Sequence, residues 1–269
     1  MSNSTQSFGT GGMPAYPGRV VKVGDPDKTV VKQIERRINE LGCGPIHEDG
    51  IFDKHETKTA VKLFQTRFTD AFDNPLKADG EVGPLTWGAL FGDASVPGQG
   101  QTPSSLASAV IAVAKSQVGV REKPLGSNSG PEVDAYLKSV GLAPGNFWCV
   151  AFTYWCYEQA STKLTIMNPH VKTGGVLKHW ADAKGQPGTT RIPTTIAIAQ
   201  PQLVTPGALF IIDHGGGFGH SGIVVGTRAG MLITIEGNTN TGGSNNGIGV
   251  FERVARKIKN INKGFIIYT

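Results

Sequence analysis

Cysteine is scarce in this chain of 269 residues: Cys43, Cys149 and Cys156 are the only three, an odd number with no C-x-x-C pair. That excludes a disulfide framework and a cysteine-rich zinc site, and it leaves free thiols. No HExxH motif occurs, and no apolar run reaches the roughly 18 residues that a membrane span requires, so stable membrane insertion is not expected. Charged residues make up 17% and hydrophobic ones 39%, which suits one or two globular domains with room for a core. The start, MSNSTQSFGTGGMPAYPG, has neither the basic residues nor the apolar stretch of a secretory signal peptide. Its Gly, Ser, Thr and Pro content reads as a flexible tail over residues 1–18. The expectation is a protein made in the cytoplasm that leaves it, if at all, by a non-classical route.

Acidic residues are short in the second part of the chain. Residues 19–92 hold 11 Lys+Arg against 12 Asp+Glu, whereas residues 93–269 hold 15 against 9. Such a field favours polyanionic surroundings, namely nucleic acid, an anionic membrane or an anionic wall polymer. No nucleic-acid-binding module is in view, so nucleic acid is not the expected partner. The segment DASVPGQGQTPSS, residues 93–105, has no large aliphatic residue except Val96 and is rich in Gly, Pro, Ser and Gln. It reads as a flexible linker over 93–106, between a domain at 19–92 and another at 107–269.

In the first domain, Val30, Ile34, Ile38 and Leu41 recur at helical spacing, with Thr29 as the expected cap and Gly42 past the end. A second helix is announced by DGIFDKHETKTAVKLFQTRF. Asp49-Gly50 turns the chain, Asp53 and Glu56 have capping-box spacing, and Ala60, Val61, Phe64 and Phe68 form the inward stripe. A second DG, Asp79-Gly80, precedes the run LTWGAL, where Pro84 suits the first helical position. Three short helices are expected. The pair DGIF…AVKLFQ (Asp49 to Gln65) and DGEVGPLTWGAL (Asp79 to Leu90) resembles the peptidoglycan-binding domain family that often accompanies cell-wall lytic enzymes, over most of residues 28–92. Asp53 stands where that family usually has Gly. The resemblance implies peptidoglycan as a partner.

In the second domain, Leu106, Val110, Val113, Ala114 and Val118 form a helical pattern, followed by a Gly/Ser/Asn loop, a helix near 132–140, and NFWCVAFTYWCY at 146–157. Beyond Pro206 the runs ALFII, GIVVG, MLITI, GVFERV and KGFIIYT are short and β-branched or aliphatic. Helices first and strands afterwards predict an α+β fold with helices packed on an antiparallel sheet.

The two cysteines of NFWCVAFTYWCY differ in position. Pro144-Gly145 punctuates the chain and Asn146 suits a helix cap, so Cys149 falls in the first turn and Cys156 two turns further in. Unpaired backbone N–H groups and the positive end of the helix dipole favour a thiolate at Cys149, whereas burial in an aromatic helix disfavours one at Cys156. An axial rise of about 10 Å keeps the two from pairing. Cys156, with Phe152 and Trp155, reads as core. A nucleophilic Cys149 needs a base, and the base needs an orienting group. His47 and His55 belong to the first domain, and His170 and His179 to a poorly patterned middle. That leaves His214 and His220 in DHGGGFGHSGIVVGTRAGMLITIEGNTN, which reads as a hairpin. With the turn near Arg228-Ala229, His220 lies opposite residues 236 to 238, which include Glu236 and Asn238.

Together, NFWCVAFTYW opening a helix, GHSGIV opening a strand and EGN on the next strand resemble the CHAP family, the cysteine, histidine-dependent amidohydrolases/peptidases, which are papain-like in arrangement. The likeness covers about residues 107–269, and GSNSGPEVDAYLKSVG is similar to the family's opening segment. It implies Cys149 as nucleophile, His220 as general base and then acid, and Glu236 and Asn238 as the orienting pair. Ala208 in PGALF departs from the family, which commonly has Asp there. Some relatives bind calcium through closely spaced aspartates before the nucleophile; here only Glu132 and Asp134 stand in that region, so no metal and no cofactor is expected. The glycines of GGGFG at 215–219 are followed by a strand and not a helix, which argues against a nucleotide site.

The expected function is peptidoglycan hydrolysis, by an N-acetylmuramoyl-L-alanine amidase or a peptidoglycan endopeptidase that works through a cysteine thioester in the periplasm or cell wall, reached by non-classical export or lysis. A phage endolysin of this kind needs a holin-type partner. A secreted antibacterial effector needs secretion machinery and an immunity protein. Two alternatives stay open: a non-catalytic wall-binding protein with Cys149 in its core, and a zinc-dependent amidase using Asp213, His214 and His220.

Overall fold

The computed structural model describes residues 13–96, 103–228, 231–240 and 247–269. Its contacts divide the chain into two compact units, 1–97 and 98–269.

The first unit contains α1 (Lys28–Glu40), α2 (Thr57–Arg67) and α3 (Pro84–Phe91), the three expected helices. Val31, Ile34 and Ile38 of α1 and Ala60, Val61 and Phe64 of α2 bury a shared core around Trp87. The cap of α1 is Asp27 and not Thr29: its carboxylate accepts from the N–H groups of Thr29 and Val30, the first-turn donors that lack helical partners. Asp53 accepts from the N–H groups of His55, Glu56 and Thr57. Burial raises the Asp53 pKa, but these bonds outweigh it and hold the group at about 2. The reciprocal half of the capping box is not made, because the Glu56 carboxylate instead accepts from the backbone N–H of His47 and sits 2.8 Å from its ring Nδ1.

One joint is built twice in this unit. Glu35 in α1 accepts the N–H of Gly50 at 2.9 Å, and Gln65 in α2 accepts the N–H of Gly80 at 2.8 Å. Both glycines have positive φ, +80° and +74°, and a Cβ on them would press on Lys28 and Lys58. Here glycine is required by conformation and by space.

Two boundaries differ from the sequence reading. Tyr16 is buried beside Trp87, its N–H bonds Ser95 O at 2.8 Å, and the Trp87 indole donates to Pro14 O at 3.1 Å. Residues 13–18 are therefore packed into the first unit and are not tail; the rest of the expected tail lies outside the described residues. In the expected linker, Asp93–Ser95 forms a 3-10 turn and Val96 is buried in the same core, while 97–102 lie outside the described residues.

The second unit is α+β. It runs α4 (Ser105–Ser116), α5 (Pro131–Ser139), α6 (Cys149–Leu164), α7 (Val176–Asp182), β1 (Thr189–Pro193), α8 (Thr194–Ala199), β2 (Leu209–Gly215), β3 (Phe218–Arg228), β4 (Met231–Thr239), β5 (Gly249–Lys257) and β6 (Gly264–Tyr268). The strands form one antiparallel sheet in the order β1-β6-β2-β3-β4-β5. Leu209, Ile211, Ile223, Ile235 and Ile266 pack with α4, α5 and α6. Phe210, Ile212, Val224, Leu232 and Phe265 pack in a separate cluster with Ala197 of α8. Burial on both faces is why these strands read as continuous apolar runs.

The poorly patterned middle is organised by polar groups. His170 and His179 are buried and stacked with centroids 4.2 Å apart; His170 lies 3.0 Å from Thr153 Oγ1, and His179 2.7 Å from the Tyr268 hydroxyl. Burial pushes both imidazoles down, His170 to about 3, so both are neutral.

Candidate active site

Helix α6 starts at Cys149, with Trp148 as its cap residue. Asn146 is not the cap; its amide nitrogen donates to Ala143 O at 2.9 Å. Trp148 is fully buried, its ring packs on Tyr136, and its indole N–H donates to the Glu122 carboxylate at 2.9 Å. This anchor fixes where the helix begins and so where Cys149 sits. No side chain caps α6, which leaves the first-turn N–H groups, that of Cys149 included, without a capping acceptor. Cys156 lies two turns further in with no exposure, and burial pushes its thiol pKa up.

The base comes from the β3–β4 hairpin. Ile223 pairs with Ile235, and a bulge at Val224/Gly226 carries the register to Arg228 opposite Met231; Ala229 of the expected turn lies outside the described residues. This register sets His220 Nε2 2.9 Å from Glu236 Oε2, both side chains being fully buried. Gly222 lets the carboxylate cross between strands: a Cβ there would lie 2.8 Å from Glu236 Cγ, 2.8 Å from Phe210 Cε1 and 3.0 Å from Ile235 O.

Glu236 is clamped from every side. Oε1 accepts from Arg256 Nε at 2.8 Å and Thr234 Oγ1 at 2.6 Å; Oε2 accepts from Arg256 Nη2 at 2.6 Å and from His220. Four donors fill the four lone-pair positions of a carboxylate. The Arg256 guanidinium in turn lies 4.7 Å over the Phe210 ring. Burial opposes charge on Glu236, but His220 and Arg256 prevail and hold its carboxyl far below the usual range. Burial likewise opposes charge on His220, but Cys149 and Glu236 prevail and push it up to about 9. The bond to Glu236 assigns the Nε2–H tautomer and leaves the lone pair of a neutral ring on Nδ1. Nδ1 is buried without a hydrogen-bond partner. Cys149 is the first of the two groups that raise the pKa of the ring, and catalytic contacts of this kind often tighten only when substrate binds.

Of the four residues singled out from sequence, His220 and Glu236 are hydrogen-bonded to one another, and Cys149 raises the pKa of the His220 imidazole. Asn238 is not part of that contact. It is buried with φ 54°, its carbonyl accepts the N–H of Gly247, and neither side-chain polar atom has a hydrogen-bond partner. The reason is an irregularity in the β4–β5 pairing between Glu236 and Thr239, which breaks the alternation on which a shared face depends. Arg256, Thr234, Gly222 and Glu122 were not singled out. Thr234 stands two residues before Glu236 on the same strand and could have been found by strand periodicity.

A cleft of about 450 Å³ opens on Cys149 between the Asn146-Phe147 segment, Gly174 to Val176, and the β2–β3 hairpin. His214 lines it, while Asp213 pairs with Lys263 at 2.8 Å. Among the described residues no group of three or more His, Cys, Asp or Glu side chains is placed to hold a metal ion.

Residues 141–238 match the family model described as "CHAP domain", and residues 28–90 match the one described as "Putative peptidoglycan binding domain". No curated protein and no solved structure matches the chain. The first match spans Cys149, His220, Glu236 and Asn238 and stops short of Arg256. An N-terminal peptidoglycan-binding domain followed by a CHAP domain supports a peptidoglycan hydrolase in general.

Proposed function

We propose that this chain hydrolyses an amide bond of peptidoglycan through a Cys149 thioester. The observation that carries the reading is a buried imidazole with one nitrogen locked on a clamped carboxylate and the other unpartnered beside the thiol of a cleft. The Cys149 thiolate attacks the amide carbonyl, and the uncapped N–H groups at the start of α6 receive the oxyanion. The His220 imidazolium gives its Nδ1 proton to the leaving amine. His220 then takes a proton from water as the water attacks the thioester, and collapse releases the new carboxyl product and restores the thiolate. Glu236, held by Arg256 and Thr234, fixes the ring and stabilises its charged form.

The bond cut is the amide between N-acetylmuramic acid and L-alanine or a peptide bond of the stem or cross-bridge. The first unit supplies local concentration at an insoluble substrate. That substrate lies outside the cytoplasmic membrane, so a lysin acts with a holin-type partner and a secreted effector with export machinery and an immunity protein. Cys149→Ala and His220→Ala should each lower fragment release from purified peptidoglycan by at least ~10²-fold, while Cys156→Ala keeps turnover. Mass spectrometry of the fragments identifies the bond. Near-normal release by Cys149→Ala would refute the reading.

A further inference from the structure

The cleft beside Cys149 carries two groups that the thioester chemistry does not use. Phe147, just before α6, and Phe218, at the start of β3, meet edge to face with centroids 6.0 Å apart and planes at 90°. They stay 45% and 60% exposed, although phenylalanine gains by burial, and exposed aromatics in a groove mark ligand contact. The hairpin is shaped to hold Phe218 there. Gly215, Gly216 and Gly217 all have positive φ, and a Cβ on Gly219 would press on the Ile212 carbonyl and lie 2.8 Å from Val176 Cγ1. Phe218 is therefore the one side chain the hairpin tip presents.

Charge narrows the occupant. Among the described residues no Asp, Glu, Lys or Arg lines the cleft. Stem peptides carry carboxylates and amines, which would lie here without a partner of opposite charge. A pyranose ring is neutral, and its face of C–H groups packs on the negative face of an aromatic ring. Asn146, whose amide nitrogen is bound to Ala143 O, keeps its side-chain oxygen to accept from a hydroxyl or acetamido N–H.

We infer that Phe147 and Phe218 form a carbohydrate subsite that seats the glycan side of the scissile amide, so that the bond cut is the one joining the sugar's lactyl group to the first stem residue. This rests on the hydrolase reading of Cys149. The test compares two soluble substrates, a disaccharide-bearing muramoyl peptide and the same peptide acylated with lactate alone. The wild type should prefer the first by at least tenfold in kcat/KM. Phe218→Ala and Phe147→Ala should each reduce that preference about tenfold, mainly through KM, and Phe218→Tyr should restore it. Equal turnover of both substrates by the wild type, or an alanine variant that keeps the full preference, would overturn the subsite. Turnover of neither soluble substrate nor purified peptidoglycan by the wild type would overturn the hydrolase reading, and the subsite with it.

Discussion

Gly222→Ala tests how Glu236 reaches His220. The added methyl carbon would sit 2.8 Å from Glu236 Cγ and 2.8 Å from Phe210 Cε1, where carbon atoms at rest keep about 3.5–4.0 Å. Each neighbour must therefore yield roughly 0.7 Å or more. Ile235 O, at 3.0 Å, is backbone and yields little. The Arg256 guanidinium that covers Phe210 is also bonded to Glu236, so displacement of either side chain disturbs the clamp. A shift of that size stretches the 2.9 Å bond to His220 past hydrogen-bond range. The expected result is a loss of about 1–3 kcal/mol in stability from overpacking and roughly 10²-fold in turnover from a misplaced catalytic group. Gly226 on the same strand is the control: nothing lies within 4 Å of a Cβ there, so Gly226→Ala should leave turnover intact and stability equal or slightly higher. Thermal melts and release of fragments from purified peptidoglycan measure both. If Gly222→Ala keeps wild-type melting and turnover, the passage of the carboxylate over Gly222 has no role.

Acid should weaken the second unit. An unfolded histidine titrates near 6.5 and folded His170 near 3, so the stability of neutral burial is present above pH 6.5 and is lost as pH falls, by roughly 1.4 kcal/mol per unit from His170 alone. Urea melts of the second unit that are unchanged between pH 7 and pH 4 would contradict this. A protein of residues 98–269 should cut soluble wall fragments yet sediment less with sacculi than the full chain; equal sedimentation argues against a binding role for the first unit. EDTA should leave hydrolysis intact, and a loss that one added ion reverses would require a metal site that the described residues do not form.

What could be read without coordinates was local. Cys149 opens a helix marked by the preceding Pro-Gly, and its distance from Cys156 follows from helical rise alone. His220 and Glu236 face one another across one hairpin, where register is a count from the turn. The side chain of Asn238 makes no hydrogen bond, and the positive φ and irregular β4–β5 pairing at that place have no sequence mark. Arg256 reaches Glu236 from a different strand, so no spacing predicts it. Helix α7, β1 and α8 escaped for a related reason: β1 buries only Ile192, and the Tyr268 hydroxyl meets His179 and the N–H of Val171 across 89 and 97 residues. Cap positions slipped by two residues, at Asp27 because it and Thr29 compete for one role, and at Trp148 because a buried indole and not a capping side chain sets the start of α6.

The doubled joint of the first unit implies a history and a built-in comparison. Glu35 and Gln65, and Gly50 and Gly80, stand at matching places 30 positions apart, the trace expected of a duplicated half-motif. Neither copy closes alone, because Gly50 is pressed against the start of α1 and Gly80 against the start of α2, so each turn locks onto the helix before it and α3 terminates the series. The copies differ in one atom of the holding side chain. Gln65 shows that a carboxamide satisfies the joint, donating from Nε2 to Asp79, Glu81 O and Thr86 while Oε1 holds the glycine. Glu35 places a carboxyl in the same setting, where burial raises its pKa while the bonds it accepts from Gly50 and Thr57 oppose the rise. Two locks of one shape thus differ in that one is held by an ionisable group and the other by a neutral amide.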